Sequence, residues 1–371
     1  MPYKDLHESP FDETTIAKLK LFEDYTQAWL PTFIMRGYNP VLHIFDFFAG
    51  TGYDLEGVSG SPIRILDKIN EQIGPLYQKN VQVILHLNEY EPSKKKQEKY
   101  QLLEHSCNEY LSKKKSLNAR VQIEFYNEDF EDLFPKLYPT IKAFPSLVFL
   151  DQNGIKFLSE KYFLELEKTK ETDFLYFVSS SYFWRFGDSE QFKVHLKIDM
   201  DQIKNEQYHK IHRSITEQIR QKLPFKTKLK LYPFSLKKGT NIHGIIFGAS
   251  HPRAVDKFLD IAWKTNKING DANFDIDDEA TIDQLEMFNP PRLSKIQSFQ
   301  KNLKEKLLQK EITNNFQALD YTYGQGHIPA HAIDTIKELV KDKKITYNGR
   351  TSGINYNQVH KLRNLITYSL K

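Results

Sequence analysis

His43-Ile44-Phe45-Asp46-Phe47-Phe48-Ala49-Gly50-Thr51-Gly52 is the stretch on which the reading of this chain turns. Val41 to Phe48 is a short run of β-branched and aromatic residues that ends in small ones, the pattern of a buried parallel strand. Directly after it, Gly50 and Gly52 let the backbone approach a ligand that a Cβ would exclude. A lone G-x-G is weak evidence, since a tight strand-to-helix turn needs the same residues. Here a strand precedes it, Asp46 sits at the strand's end, and the strand-then-helix pattern repeats downstream.

Upstream, apolar and aromatic residues from Thr15 to Ile34 recur at three- and four-residue intervals, predicting an amphipathic helix. Its Trp29 and Phe33 are expected to pack on the domain that follows. Downstream, Ser61-Pro62 supplies an N-cap and a first-turn proline, and Ile63, Ile65, Leu66 and Ile69 give a helical face. Strands are then predicted at Val81–Leu87, Val121–Tyr126, Ser146–Asp151 and Phe174–Val178. Helices at Pro92–His105, Phe130–Tyr138 and Lys161–Lys170 separate them. Strands alternating with helices predict a doubly wound α/β sheet with right-handed crossovers. After a helical insertion at about 187–223, two more strands, Lys228–Phe234 and Ile242–Ala249, flank the turn chemistry of Lys237-Lys238-Gly239-Thr240. A helix at Pro252–Thr265 closes the domain.

Beyond it, Asn-Gly, the acidic residues Asp275, Asp277, Asp278 and Glu279, and Asn289-Pro290-Pro291 disfavour regular structure. A basic helix (Lys295–Gln309), an extended stretch (Ala318–Tyr323), a second helix (Pro329–Lys341) and the turn-rich Ile345–Gly353 then suggest a winged-helix-like α+β module. The expected organisation is a helical segment at 1–40, a Rossmann-like domain at 41–266, a linker at 267–294 and the module at 295–371.

Composition narrows the function classes. The single cysteine, Cys107, excludes an internal disulfide framework and a cysteine-built metal site, and fits a reducing, cytoplasmic setting. No apolar run approaches the roughly 20 residues of a membrane span, and the N-terminus lacks a signal-peptide pattern. The net charge of +4 conceals an asymmetry: residues 201–371 hold 28 Lys/Arg against 18 Asp/Glu. That excess suits contact with nucleic acid, although solvated lysines alone produce similar numbers.

Candidate site residues cluster after the strands. Glu89, with Glu91 in reserve, follows the second strand, where a carboxylate can hold both ribose hydroxyls of a nucleoside; either glutamate could equally begin the charged helix. Asp129 follows the third strand, as an adenine contact or as a routine N-cap. Asp151 opens Asp-Gln-Asn-Gly after the fourth strand, at the edge where α/β ligands bind, although a turn without a catalytic role would read the same. Ser179 to Arg185 leaves the fifth strand with hydroxyls, a cation and rings: Tyr182 is a candidate substrate contact, while Phe183 and Trp184 suit core packing or stacking. His251, His327 and His331 lack metal-ligand partners and read as surface or capping residues.

The chain resembles the three-Cys-motif partner family (TcmP), a bacterial group similar to Class I S-adenosylmethionine-dependent methyltransferases. The likeness rests on Lys20-Leu21-Phe22-Glu23-Asp24-Tyr25, Trp29-Leu30-Pro31, the Asp46–Gly52 loop, Gly60-Ser61-Pro62 and Val148-Phe149-Leu150-Asp151. It continues in Phe247-Gly248-Ala249-Ser250-His251-Pro252 and Gly326-His327-Ile328-Pro329-Ala330-His331-Ala332. The resemblance implies a seven-stranded methyltransferase sheet and S-adenosylmethionine as cofactor. The expected cofactor contacts are Asp46, Phe48, Ala49, Gly50, Gly52, Glu89 and Asp129, with Asp151 and Tyr182 as catalytic residues. It also implies a radical-enzyme-like protein partner that carries the family's cysteines. Relatives read Asp-Pro where this chain has Asp151-Gln152, and the Asp/Asn-Pro-Pro-aromatic motif of amino-methyltransferases is absent. Two functions follow: methyl transfer to a nucleic-acid or nucleotide-related acceptor, or a non-catalytic module that binds cofactor or partner.

Overall fold

The computed structural model describes residues 10–37, 40–90, 96–151, 159–179, 198–205, 208–238, 241–281 and 292–371. The chain divides into two compact units, Met1–Ser250 and His251–Lys371.

The first unit is built on a seven-stranded sheet: β1 (Val41–Asp46), β2 (Gln82–Asn88), β3 (Val121–Tyr126), β4 (Ser146–Leu150), β5 (Thr172–Ser179), β6 (Lys230–Lys238) and β7 (Asn241–Ala249). The spatial order is β3-β2-β1-β4-β5-β7-β6. The first five strands are parallel, and β7 runs antiparallel to both β5 and β6. All seven predicted strands are present, Val121–Tyr126 with its predicted bounds and the others with ends shifted by one to four residues. Lys237 and Lys238, expected in the turn, extend β6 and pair with Ile242 and Asn241; Gly239 and Thr240 lie outside the described residues.

Every residue of β4 is buried, as a central parallel strand covered on both faces requires. On one face Phe45, Val148 and Tyr176 join a core supplied by α6 (Phe130–Ala143), α7 (Glu160–Glu167), α8 (Met200–Asn205) and α9 (Ile211–Lys222). On the other, α1 (Glu13–Ile34) stacks Phe22 on Phe149 at 4.6 Å and packs beside α2 (Ser61–Glu71). Trp29 and Phe33 are buried, as the helical periodicity of α1 predicts. The helices α3 (Ile73–Lys79), α4 (Lys96–Ser112) and α5 (Lys115–Asn118) complete the crossovers.

Two local expectations change. Gly60, not Ser61, is the N-cap of α2, and Ser61 occupies the first helical turn. Its hydroxyl is thereby free to face the Asp46 carboxyl, whose pKa it lowers. The helix α6 runs five residues beyond its predicted end, through Pro135 and Pro139. Phe130, Leu133, Phe134, Leu137 and Ile141 are buried along it, and that apolar stripe outweighs the hydrogen bonds the prolines remove.

The second unit contains α10 (Pro252–Thr265), α11 (Lys295–Leu308), α12 (Asn315–Gly324), α13 (Pro329–Lys341) and an antiparallel ribbon of β8 (Ile345–Tyr347) and β9 (Tyr368–Leu370). Three helices and a ribbon form the expected winged-helix arrangement. Ala318–Tyr323, expected to be extended, is helical. Asn314 caps it by accepting the Gln317 amide at 3.0 Å, and Ala318, Leu319, Thr322 and Tyr323 bury one side. Helical spacing, the helix propensity of Ala318 and Leu319 and a cap decide against the β propensity of Thr322 and Tyr323. His327 is likewise not at the surface: it is 2% exposed and stacks on Phe299 at 4.1 Å. His331 is half-buried beside it, with Nδ1 atoms 2.9 Å apart, and Trp263 packs on both rings. His251 is a cap, accepting the Arg253 amide through Nδ1 at 3.0 Å.

Candidate functional site at the sheet's switch point

Strand order reverses between β1 and β4, and in open α/β sheets the crevice beyond the strand ends at such a point is where ligands bind. Asp46 ends β1 there, and Asp151 follows β4.

Asp46 is 2% exposed. One oxygen accepts the Phe48 amide at 3.2 Å, whereas Oδ2 is buried without a hydrogen-bond partner. Burial pushes the carboxyl up to about 6, and the Asp151 charge pushes the same way; the Ser61 hydroxyl, the Phe48 amide and Lys18 oppose it. Leaving a buried carboxylate oxygen unsatisfied is costly, so its retention calls for a reason other than folding.

The loop after β1 turns through Gly50 at φ +69° and Gly52 at φ +91°. A Cβ on Gly52 would lie 2.8 Å from the Ser106 Cβ on α4, so this glycine serves close helix packing as well as the turn. Ser106 also donates through Oγ to the Thr51 carbonyl at 3.0 Å. Ala49 donates to the Asn88 carbonyl at 2.9 Å, and Gly50 donates to Glu89 Oε2 at 2.8 Å. The structure therefore joins the two sequence-predicted elements, glycine loop and second-strand carboxylate, in one hydrogen bond. Phe48 packs at the edge of the core formed with α6, its ring 5.5 Å from Phe130.

Asn88 ties these strand ends together. Its amide donates to the Phe47 and Glu128 carbonyls, both at 3.1 Å, and its oxygen accepts the Glu128 amide. Asp129 is the N-cap of α6, accepting the Glu131 amide at 3.0 Å. The capping alternative for Asp129 is thus realised; helix capping uses one carboxylate oxygen and leaves the residue at the same sheet edge.

Three contributors went unread in the sequence. Lys18, on α1, forms an ion pair with Asp151 and sits over the Phe177 ring at 4.8 Å. Its side chain is only 12% exposed, so α1 delivers a cation to the switch point. Periodicity had marked α1 by its apolar stripe, and a lysine among so many carries no signal of where its amine ends. Asn88 was hidden in the run of β2. Asp54, finally, organises the loop before α2 by accepting the Phe11, Glu56 and Val58 amides, which hold its carboxyl below the usual range. Glu91, Tyr182, Phe183, Trp184 and Arg185 lie outside the described residues, as do Gln152 to Gly154. Among the described residues no group of His, Cys, Asp and Glu could hold a metal ion, and no helix is long and apolar enough to cross a membrane.

Comparison with known proteins adds to this geometry. Residues 265–352 match the family model of the GMT-like wHTH domain. No curated protein matches the chain. Among solved structures, the chain is similar over 64% of its length to the O-methyltransferase TomG from Streptomyces achromogenes, involved in tomaymycin synthesis and in complex with SAM. That match covers 89% of TomG at 9% identity, with a TM-score of 0.32. An O-methyltransferase from Bacillus cereus in complex with SAH is similar over 64% of this chain and 91% of its own at 14% identity, with a TM-score of 0.30. Strand order and family match together make this an α/β protein with a seven-stranded mixed sheet, followed by a C-terminal winged helix-turn-helix domain.

Proposed function

We propose that the first unit binds S-adenosylmethionine and that the chain is a methyltransferase of the three-Cys-motif partner type. The observation that carries this reading is Asp46: a buried carboxylate with one unpartnered oxygen, at the switch point and at the foot of a loop turned by two positive-φ glycines. Such a site suits a ligand with a cationic donor at one end, as the amino-acid end of S-adenosylmethionine has. Phe48, Ala49, Gly50 and Gly52 would line the cradle, with Glu89 toward the ribose and Asp129 toward the adenine.

The cofactor, when bound, supplies a methyl group activated on sulfonium. The chain's share is to hold and align the reactants, which for a direct displacement is most of the catalytic task. Asp151 and Lys18 form a neutral pair at that edge and act as positioning groups; Tyr182 is a proposed acceptor contact. A nucleic-acid or nucleotide-related acceptor is supported by the excess of 28 Lys/Arg over 18 Asp/Glu in residues 201–371.

The Lys18–Asp151 pair also favours a second reading, in which the unit binds the cofactor in order to dock a radical-enzyme-like partner and transfers nothing. A carboxylate held in an ion pair with a largely covered lysine is already engaged before any acceptor arrives. Isothermal titration of the full chain with S-adenosylmethionine tests what both readings share. Saturable binding is expected, lost in Gly50→Val and weakened in Asp46→Asn. Absence of binding at millimolar ligand, or unchanged binding by Gly50→Val, overturns the cofactor assignment. Transfer of labelled methyl to nucleic acid separates the first reading from the second.

A further inference from the structure

The winged-helix domain has two surfaces that could meet a polyanion, and their charge differs. On α13, the helix that follows the turn, Asp334, Lys337, Glu338 and Lys341 are exposed, two of each sign. Both acids are already engaged, Glu338 with Lys304 at 2.7 Å and Asp334 with Lys337 at 3.7 Å. That face is neutral.

The ribbon and its loop are different. Residues 342–371 hold six Lys/Arg and a single acidic residue, Asp342. All six cations are exposed. Lys344 lies 3.8 Å from Asp342, while Lys343, Arg350, Lys361, Arg363 and Lys371 form no ion pair with another described residue. Lys344 and Lys371 flank the same end of the ribbon, joined by the Lys371 amide donating to the Lys344 carbonyl at 3.0 Å.

Backbone conformation supplies an independent observation. Lys343 and Arg363 adopt φ +57° and +51°, each just past a helical turn. Glycine is the usual residue there, because a Cβ is strained in the left-handed region. Two of the wing's cations thus stand where the fold itself would favour glycine, so folding does not account for their presence.

We propose that the β8–β9 wing, rather than the exposed face of α13, docks on the phosphate backbone of duplex DNA. This rests on the nucleic-acid reading of the C-terminal half. Exposed, unpaired cations gain most from phosphate contact because they bring no competing acids and release the DNA's counterions. A two-stranded ribbon fits the major groove of B-form DNA, whereas the deep, narrow major groove of A-form RNA excludes side chains.

The test is fluorescence anisotropy of the full chain with a labelled DNA duplex, the same sequence as an RNA duplex, and single strands, each across a salt series. The DNA duplex is expected to bind tightest. A Lys344→Glu/Arg350→Glu/Lys361→Glu/Lys371→Glu variant should lose at least tenfold in affinity, and its slope of log K against log salt should fall by about three to four. Lys337→Ala should bind as the parent does. The more telling variant is Lys343→Gly/Arg363→Gly, which should melt higher yet bind DNA several-fold more weakly; a merely structural role would move stability alone. Unchanged binding in both wing variants, or loss confined to Lys337→Ala, overturns the wing assignment while leaving DNA binding intact. Binding of RNA alone overturns the choice of DNA, and no binding of any strand by the parent chain overturns the nucleic-acid reading itself.

Discussion

Asp173 is 3% exposed, and Tyr25 donates to its Oδ2 at 2.7 Å, fastening α1 to β5. Burial pushes its pKa up to about 7 from 3.8, against the Tyr25 hydrogen bond and the nearby Arg36 charge. Between those values the folded chain keeps a proton that the unfolded chain has released. The group therefore stabilises the fold below 3.8, and that contribution is lost as pH rises through 7. Asp173→Asn keeps an acceptor for Tyr25 and removes the titration. Urea unfolding across pH 5–8 should show the variant gaining on the parent as pH rises, by at most about 1.4 kcal/mol per pH unit. A constant difference would show that Asp173 is ionised throughout. At this scale the sequence disclosed which residues border the site, since Asp46, Gly50, Gly52, Glu89 and Asp151 follow their strands. It could not disclose that Glu89 accepts the Gly50 amide or that Lys18 neutralises Asp151, because those pairings span 39 and 133 residues of chain.

Among elements, α12 shows how a helix can fix a distant ribbon. Asn315, fully buried in its first turn, donates to the Gly353 carbonyl at 3.1 Å and the Asn364 carbonyl at 2.9 Å, and accepts the Ile366 amide at 2.9 Å. Gly353, at φ +72°, comes so close that a Cβ there would sit 2.9 Å from the Asn315 amide nitrogen. Asn315→Ala leaves three backbone groups short of a partner and should cost about 2 kcal/mol or more. Hydrogen exchange is the direct measurement: amides of β8 and β9 should lose protection, while those of β1 to β5 keep theirs. Equal loss in both would mean that the asparagine is not a local clamp. The strands were legible from composition because each is a short apolar run. The helix α12 was not, since Tyr321, Thr322 and Tyr323 carry β propensity and its cap is a single asparagine in a polar stretch.

For the molecule as a whole, buried histidines set the acid limit. Desolvation holds His43 down at about 4 and His86 and His212 at about 3, and it lowers His327 as well. A base with a depressed folded pKa must be neutral to fold, so its contribution is present above the unfolded value of 6.5 and is lost as pH falls toward the folded one. Asp173 and Asp46 act oppositely, but they are two against four. Stability should therefore decline from pH 6.5 to 4.5, and more steeply in Asp173→Asn; thermal melts across that range would check it, a flat profile counting against buried neutral histidines. By itself the sequence determined the alternation of strands and helices, and with it the parallel sheet, the place of the glycine loop and the helices of the second unit other than α12, because these follow from periodicity and local backbone chemistry. Only the tertiary structure decided what Asp46 to Gly52 faces. An orphaned carboxylate oxygen, a lysine delivered from α1 and a glutamate bonded to Gly50 are relations between strand ends, and proximity across a sheet is not written in the spacing of residues along a chain.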